Sequence, residues 1–203
     1  DSRIGSSFLK TSVGFGGSCF KKDILNLVYI ARSLGLVEVA NYWEQILIIN
    51  KHQRNRFSKK IIDCIKKFNF STKVLLLGWA FKKDTNDTRE SASIYVANSL
   101  INDNISIDIY DPRVKKEQID NDLISINSNY NSSLINVLDD PFLNLENYNI
   151  VVILTEWDEF KTYNWSKIHK NMCKPAYIYD GRNILDSKEI NDIGFKYTGL
   201  GRG

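Results

Sequence analysis

The sequence has no apolar run of the roughly 18 to 20 residues that a membrane-crossing helix needs. Its longest apolar stretches, 74–77 and 150–154, are the length of strands. Histidine is scarce, with only His52 and His169, and the three cysteines, Cys19, Cys64 and Cys173, are odd in number and far apart. That spacing is neither a disulfide framework nor a metal site, so no metal is expected and a reducing cytosol is the simplest compartment. Net charge is only +3, from 27 basic and 24 acidic residues. With no arginine-rich arm or recognised binding motif, nucleic acid is not expected as a partner, and neither is a membrane. Also lacking are an initial Met, a signal peptide and a transit segment, so the chain, beginning Asp1-Ser2-Arg3-Ile4, reads as a piece of a longer protein. What is present is 203 residues with 43% hydrophobic, 25% charged and 12% aromatic, the balance of a globular protein of one or two domains.

Residues 1–19 are short, rich in Gly and Ser, and read as a loop. From Phe20 the apolar positions Ile24, Leu27, Val28, Ala31 and Leu34 recur at helical steps, and Gly35 follows as a C-cap. A second helix is expected over 37–67, about 45 Å long, which exceeds the usual helix of a small domain. It is expected to cross a domain boundary or to pack against another subunit. Near residue 70 the pattern changes. Strands are expected at 73–78, 105–112, 150–154 and 176–179, and helices at 91–102, 114–123 and 131–138. The Asn- and Ser-rich stretch at 125–133 looks like a loop insertion. Strands alternating with helices predict a three-layer α/β domain around a parallel sheet, here 71–203, following a helical segment at 1–70.

Three stretches could carry chemistry. In Val13-Gly14-Phe15-Gly16-Gly17-Ser18-Cys19-Phe20-Lys21-Lys22-Asp23, glycines allow close backbone approach and the loop opens into a helix. Cys19 thus lies at a helix N-terminus beside two lysines, a setting that favours the thiolate and suits a covalent nucleophile. The plainer alternative is a structural cysteine after a glycine turn. The run from Gly78 to Glu90 leaves the C-terminal end of a strand, where ligands of open α/β sheets bind. It offers Phe81 for stacking and Lys82, Lys83 and Arg89 for phosphates, although a solvated loop would look similar. Tyr179-Asp180-Gly181-Arg182-Asn183 leaves another strand end with a guanidinium suited to phosphate. By itself it reads as a turn with a surface arginine. Together the three suggest an anionic ligand bearing a ring, such as a nucleotide. No Gly-x-Gly-x-x-Gly follows any expected strand, so the dinucleotide fingerprint is missing. Cys64 reads as core, Cys173 as incidental, Trp157 as core and His169 as a surface helix residue.

These motifs, with Phe8-Leu9-Lys10, Tyr110-Asp111-Pro112 and Thr155-Glu156-Trp157, resemble in order the UDP-glucose 6-dehydrogenases among the nucleotide-sugar dehydrogenases, over essentially the whole chain. The resemblance implies an NAD-dependent, two-step oxidation of UDP-glucose to UDP-glucuronate through a thiohemiacetal and a thioester. It puts Cys19 in the nucleophile's place and Asp23 in that of the aspartate assisting the water. It assigns Lys10, Thr11, Ser12, Val13, Gly14, Phe15 and Gly16 to the loop around the sugar and uracil. Phe81, Lys82 and Arg182 fall in the UDP-sugar site, and Arg3 reaches a neighbouring subunit's site. Cys19, Phe20, Lys21 and Lys22 lie beside the nicotinamide, and Arg89 meets an NAD phosphate. It further implies a central helical segment with a dimerisation helix at 37–67, hence a homodimer or larger oligomer, and a Rossmann-like UDP-binding domain. The family's N-terminal NAD-binding domain and its remaining catalytic residues lie upstream, so the chain alone is expected to be inactive. Lys21 stands where the family has Gln, and Asn86 where Gly is common, which is tolerable if Asn86 is left-handed. A dehydrogenase for GDP-mannose or a UDP-N-acetylhexosamine, or a non-catalytic nucleotide-sugar binding module, are the competing readings.

Overall fold

A computed structural model describes residues 4–5, 9–70 and 73–201. Two helices come first: α1 (Ser18–Ser33) and α2 (Val37–Phe68). The remainder alternates as β1 (Lys73–Leu77), α3 (Ala92–Asn102), β2 (Ile107–Tyr110), α4 (Lys116–Ile126), β3 (Ile135–Val137), β4 (Tyr148–Ile153), α5 (Asp158–Thr162), α6 (Trp165–Asn171), β5 (Tyr177–Asp180), α7 (Ser187–Ile193) and β6 (Lys196–Gly199). The six strands form one sheet in the order β3-β2-β1-β4-β5-β6, and every pairing is parallel.

Strands β1 and β4 are near-continuous apolar runs because they are central and covered on both faces. Parallel crossovers are right-handed. Those leaving β1 and β2 run one way along the sheet and those leaving β4 and β5 run the other, so their helices fall on opposite faces. The C-terminal half of α2 lies beside α3 and covers β5, with Phe57 edge-on to Tyr179 and Phe68 tilted against Tyr177. Cys64 is buried there, as expected of a core cysteine. The N-terminal half of α2 pairs with α1 around a small separate core of Ile24, Val28, Ala31 and Ala40, flanked by Phe15, Trp43, Ile46 and Leu47.

Four local readings are corrected. Residues 131–138 are not a helix: a single 3-10 turn at Ser132–Leu134 leads into edge strand β3. Asn131 caps that turn, since its side chain accepts from the Ser133 amide, and the segment is too short and too exposed to bury a helical face. Strand β6 was not anticipated, because a four-residue edge strand reading Lys-Tyr-Thr-Gly has almost no apolar signal of its own. Its position is set by pairing with β5. Within the loop after β1 the left-handed residues are Asp84 and Glu90, not Asn86. His169 is half-buried rather than a plain surface residue, its ring against Phe195 and close to Gly194.

Asp111, just after β2, ties three strand ends together. Its carboxylate accepts from the backbone amides of Trp79, Ala80, Arg113 and Val114 and from the Trp157 indole. Trp157 is thereby core, as its sequence suggested. Asp111→Ala would strand these buried donors, each expensive to leave unmet, and is expected to cost roughly 3 kcal/mol or more. Urea unfolding measures it; a loss below about 1 kcal/mol would contradict this account of the strand ends.

Candidate functional site

The sheet order is that of doubly wound nucleotide-binding folds, and its direction reverses between β1 and β4. The loop from Gly78 leaves β1, Thr155-Glu156 leaves β4 and Gly181-Arg182 leaves β5, so all reach the same edge. The glycine-rich loop preceding α1 descends onto that edge, and its contacts explain its composition. Val13 is fully buried, so close to Gly181 that a β-carbon there would collide with its methyl group and with the Ile153 carbonyl. Gly16 lies against the Glu90 carbonyl and Phe81, where a side chain would not fit. Gly17, at φ 84°, faces the Phe81 ring and donates its amide to the Arg89 carbonyl at 2.7 Å. The three stretches singled out in the sequence therefore do converge.

Gly17 is also the residue from which α1 starts. No side chain caps that helix and no acidic residue occupies its first turn, so its leading amides keep their positive field. Cys19 sits in this first turn with an exposed thiol, 3.7 Å from the Ser18 hydroxyl. Asp23 is one turn further along, four residues on and so on the same side, exposed, with Lys22 Nζ at 4.0 Å. Phe20 tilts against Phe15 at 5.5 Å. Lys22 is exposed, whereas Lys21 pairs with Glu90 at 2.7 Å. A cleft of about 500 Å³ opens beside this turn, bordered by Ser18, Lys21, Lys22 and Arg89 on one side and by Ser125 and Ile126 of α4 on the other.

Arg89 forms a bidentate pair with Asp87, at 2.9 and 2.7 Å. Asp87 first, and Cys19 more weakly, hold the Arg89 guanidinium above its ordinary value. Lys82 is exposed, its ammonium 5.5 Å from the Phe81 ring centre. Lys10 is exposed; Thr11 and Ser12 are half-buried, and the Ser12 hydroxyl donates to the Gly14 carbonyl at 2.7 Å. Arg3 lies outside the described residues. Arg182 departs from the plain reading of a surface arginine: its side chain is 10% exposed and pairs with Glu156 at 2.5 Å. Burial lowers its guanidinium, and the neighbouring Glu156 and Asp180 charges oppose that shift. The Asp180 carboxylate in turn accepts from the Arg182 and Leu185 amides, fixing the turn.

Sequence reasoning missed the groups that hold this arrangement. On α2, Asn50 accepts from the Phe15 amide at 2.9 Å and donates to the Phe15 carbonyl. Arg54, buried and stacked 4.1 Å from the Tyr95 ring centre, donates to the Phe15 carbonyl at 2.6 Å and to the Glu90 carbonyl at 2.8 Å. Glu90 accepts from Lys21 and, at 2.8 Å, from the Tyr95 hydroxyl. A buried asparagine and arginine in the middle of an otherwise amphipathic helix were the available signal, but nothing local marks them as buried. Among the described residues no cluster of side chains could hold a metal ion, and no helix is long and apolar enough to cross a membrane.

Residues 75–187 match the model of the UDP-binding domain of the UDP-glucose/GDP-mannose dehydrogenase family, and residues 1–52 that of its central domain. The chain belongs to the UDP-glucose/GDP-mannose dehydrogenase family. It is 48% identical over its whole length to a UDP-glucose 6-dehydrogenase of Gallus gallus and 46% identical to that of Drosophila melanogaster. It spans 42% of the former relative's length and 43% of the latter's. Among solved structures, a UDP-glucose dehydrogenase from Pyrobaculum islandicum superposes with a TM-score of 0.72 at 25% identity, over all of this chain and 41% of that one. A UDP-D-ManNAc dehydrogenase from Pyrococcus horikoshii gives 0.68 at 27%, over 95% of this chain and 40% of that one. Membership of the family accounts for the Rossmann-like α/β/α half and for the helical half that precedes it.

Burial would raise the Glu90 carboxyl, but hydrogen bonds from Lys21 and Tyr95 and the charges of Lys21 and Arg54 outweigh it and hold the group below its ordinary 4.5. A depressed carboxyl contributes stability that is fully present above its unfolded value and is lost as pH falls through the folded one. The stability difference between the wild type and Glu90→Gln is therefore expected to be full at about pH 7 and to shrink below about pH 4.5. Urea titrations across that range test it; a difference independent of pH would show that the ion pair does not hold the carboxylate.

Proposed function

We propose that the intact polypeptide carrying this chain is an NAD-dependent UDP-glucose 6-dehydrogenase, to which the chain contributes the nucleophile and the nucleotide-sugar site. The observation that carries the reading is the glycine loop seated on Phe81 and Gly181, which brings an exposed Cys19 at an uncapped helix N-terminus to the ligand-binding edge of the sheet. Relatives 44–48% identical across the whole chain, each called UDP-glucose 6-dehydrogenase, favour UDP-glucose over GDP-mannose or a UDP-N-acetylhexosamine.

In this reading Phe81 provides the ring surface and Lys82 and Arg182 the positive charge for a uridine diphosphate. The backbone of 10–16, with Thr11 and Ser12, wraps the sugar. Cys19 adds to the C6 aldehyde to give a thiohemiacetal, whose oxidation leaves a thioester. Asp23 steers the water that releases the uronate and regenerates the thiol. NAD, when bound, accepts the hydride of each oxidation. The residues present fit one edge of such a cofactor: Phe20, Lys21, Lys22 and Arg89 with Cys19 border or adjoin the cleft beside α1, whose rim carries three basic side chains alongside Glu90 and Asp122. They do not supply a dinucleotide turn, since β1 runs into Gly78-Trp79-Ala80-Phe81. The chain by itself is accordingly expected to bind the sugar nucleotide without producing NADH. Calorimetric titration tests this: UDP-glucose should bind and GDP-mannose should not, and binding of neither by the intact polypeptide would sink the reading.

The same helices supply a partner surface. Tyr29 and Ile30 on α1, Leu34 at its C-terminal cap, and Tyr42, Ile48 and Ile49 on α2 are exposed, from 51% to 74%. Exposed apolar side chains gathered on two paired helices support an interface there. A homodimer through α2 is expected. Sedimentation at micromolar concentration should show a dimer; a monomer would contradict it.

A further inference from the structure

Glu90 does something that the chemistry above does not use. It is a non-glycine residue in the left-handed region, at φ 55°, a conformation that persists only where surroundings enforce it. Four elements do so. From α2, Arg54 holds its carbonyl at 2.8 Å and the Phe15 carbonyl at 2.6 Å with the same nitrogen. From α1, Lys21 holds its carboxylate at 2.7 Å. From α3, Tyr95 holds the other carboxylate oxygen at 2.8 Å. From the glycine loop, Gly16 presses on its carbonyl, and Gly17 bonds the carbonyl just before it. Lys21 is two residues from Cys19, and Arg89 is the residue preceding Glu90. The helix bearing the thiol and the loop bearing Phe81 and Lys82 are thus joined through this residue, which stands between a cleft with Lys21, Asn50, Arg54 and Tyr95 and the cleft beside α1.

We propose that Glu90 is a positioning residue for the reaction: its left-handed backbone and its bridge between Lys21, Arg54 and Tyr95 set the Cys19 helix at the separation from the Phe81 loop that places the thiol on the bound sugar. The proposal rests on the dehydrogenase reading. It separates binding of the sugar nucleotide from chemistry, because the groups at Phe81, Lys82 and Arg182 do not depend on the bridging side chain, whereas the reach of Cys19 does. Displacing a reacting group by about 1 Å costs on the order of a hundredfold in rate.

The test uses the intact polypeptide and two variants. Glu90→Gly removes the side chain at a backbone conformation that glycine adopts freely, and Glu90→Gln keeps the shape and, with its oxygen accepting from Lys21 and its amide donating to the Tyr95 oxygen, both arms of the bridge without the charge. For Glu90→Gly, kcat is expected to fall by about tenfold or more with KM for UDP-glucose within about threefold, and Glu90→Gln to recover much of the loss. Alkylation of Cys19 by iodoacetamide, followed on its own peptide, gives a readout independent of turnover. UDP-glucose should shield the wild-type thiol, and the shielding should largely vanish in Glu90→Gly although calorimetry still shows binding. Unchanged kcat and shielding would overturn the proposal, and so would a rise in KM that accounts for the whole effect. If Glu90→Gly does not fold, Tyr95→Phe, which removes one arm of the bridge, is expected to lower kcat and not affinity, and an unaltered kcat would overturn it. A wild type that neither binds nor is shielded by UDP-glucose overturns the dehydrogenase reading first, and this proposal with it.

Discussion

The site is held together by one buried guanidinium. Arg54 comes from the middle of a 32-residue helix and reaches two backbone carbonyls, Phe15 and Glu90, that belong to loops far apart in sequence. Charge-assisted hydrogen bonds from a single rigid fork fix both loops in one geometry, and stacking on Tyr95 fixes the fork. Its burial makes it demanding as well, since an arginine out of water must keep its partners. Nearby Glu90 offsets the charge, with its carboxylate 3.8 Å from Arg54. Beside this link, hydrogen bonds from Asn50 and Gly17 also tie the glycine loop down.

The glycines then follow from proximity. Gly14 lies on Asn50 and Arg54, Gly16 on Glu90 and Phe81, and Gly181 on Val13. Each marks a place where a second element comes too close for a side chain. The price of such contact is a loop with little intrinsic preference for any conformation, so its shape comes from α2, α3 and the ends of β4 and β5. The long helix therefore serves two halves of the molecule. Its first half builds the small core under α1, and its second half covers the sheet.

The main elements were legible because their patterns are strong. The apolar runs at β1 and β4 and the helical steps of α1 and α2 identify themselves, and the strand–helix alternation after residue 70 leads to a parallel sheet. What failed was weakly patterned. Strand β6 and the turn before β3 take their form from a neighbouring strand or an Asn131 cap, not from periodicity. Asn86 was marked by analogy with glycine, but the loop places its left-handed residues at Asp84 and Glu90, where the hydrogen bonds to Arg54, Lys21 and Tyr95 hold Glu90.

For the site, local chemistry in the sequence determined which residue types could react or bind: a cysteine opening a helix, an aromatic–lysine pair and an arginine after strands. Those features need only a few neighbouring residues, so a linear reading captures them. Only the tertiary structure decided that they meet, that Arg182 is buried on Glu156, and that Arg54 and Glu90 hold the loops in register. These depend on contacts across 36 residues between Arg54 and Glu90 and 69 between Lys21 and Glu90. A hydrogen bond of that span leaves no periodic trace in the chain. It exists only once the helices and sheet have packed and brought the two ends together.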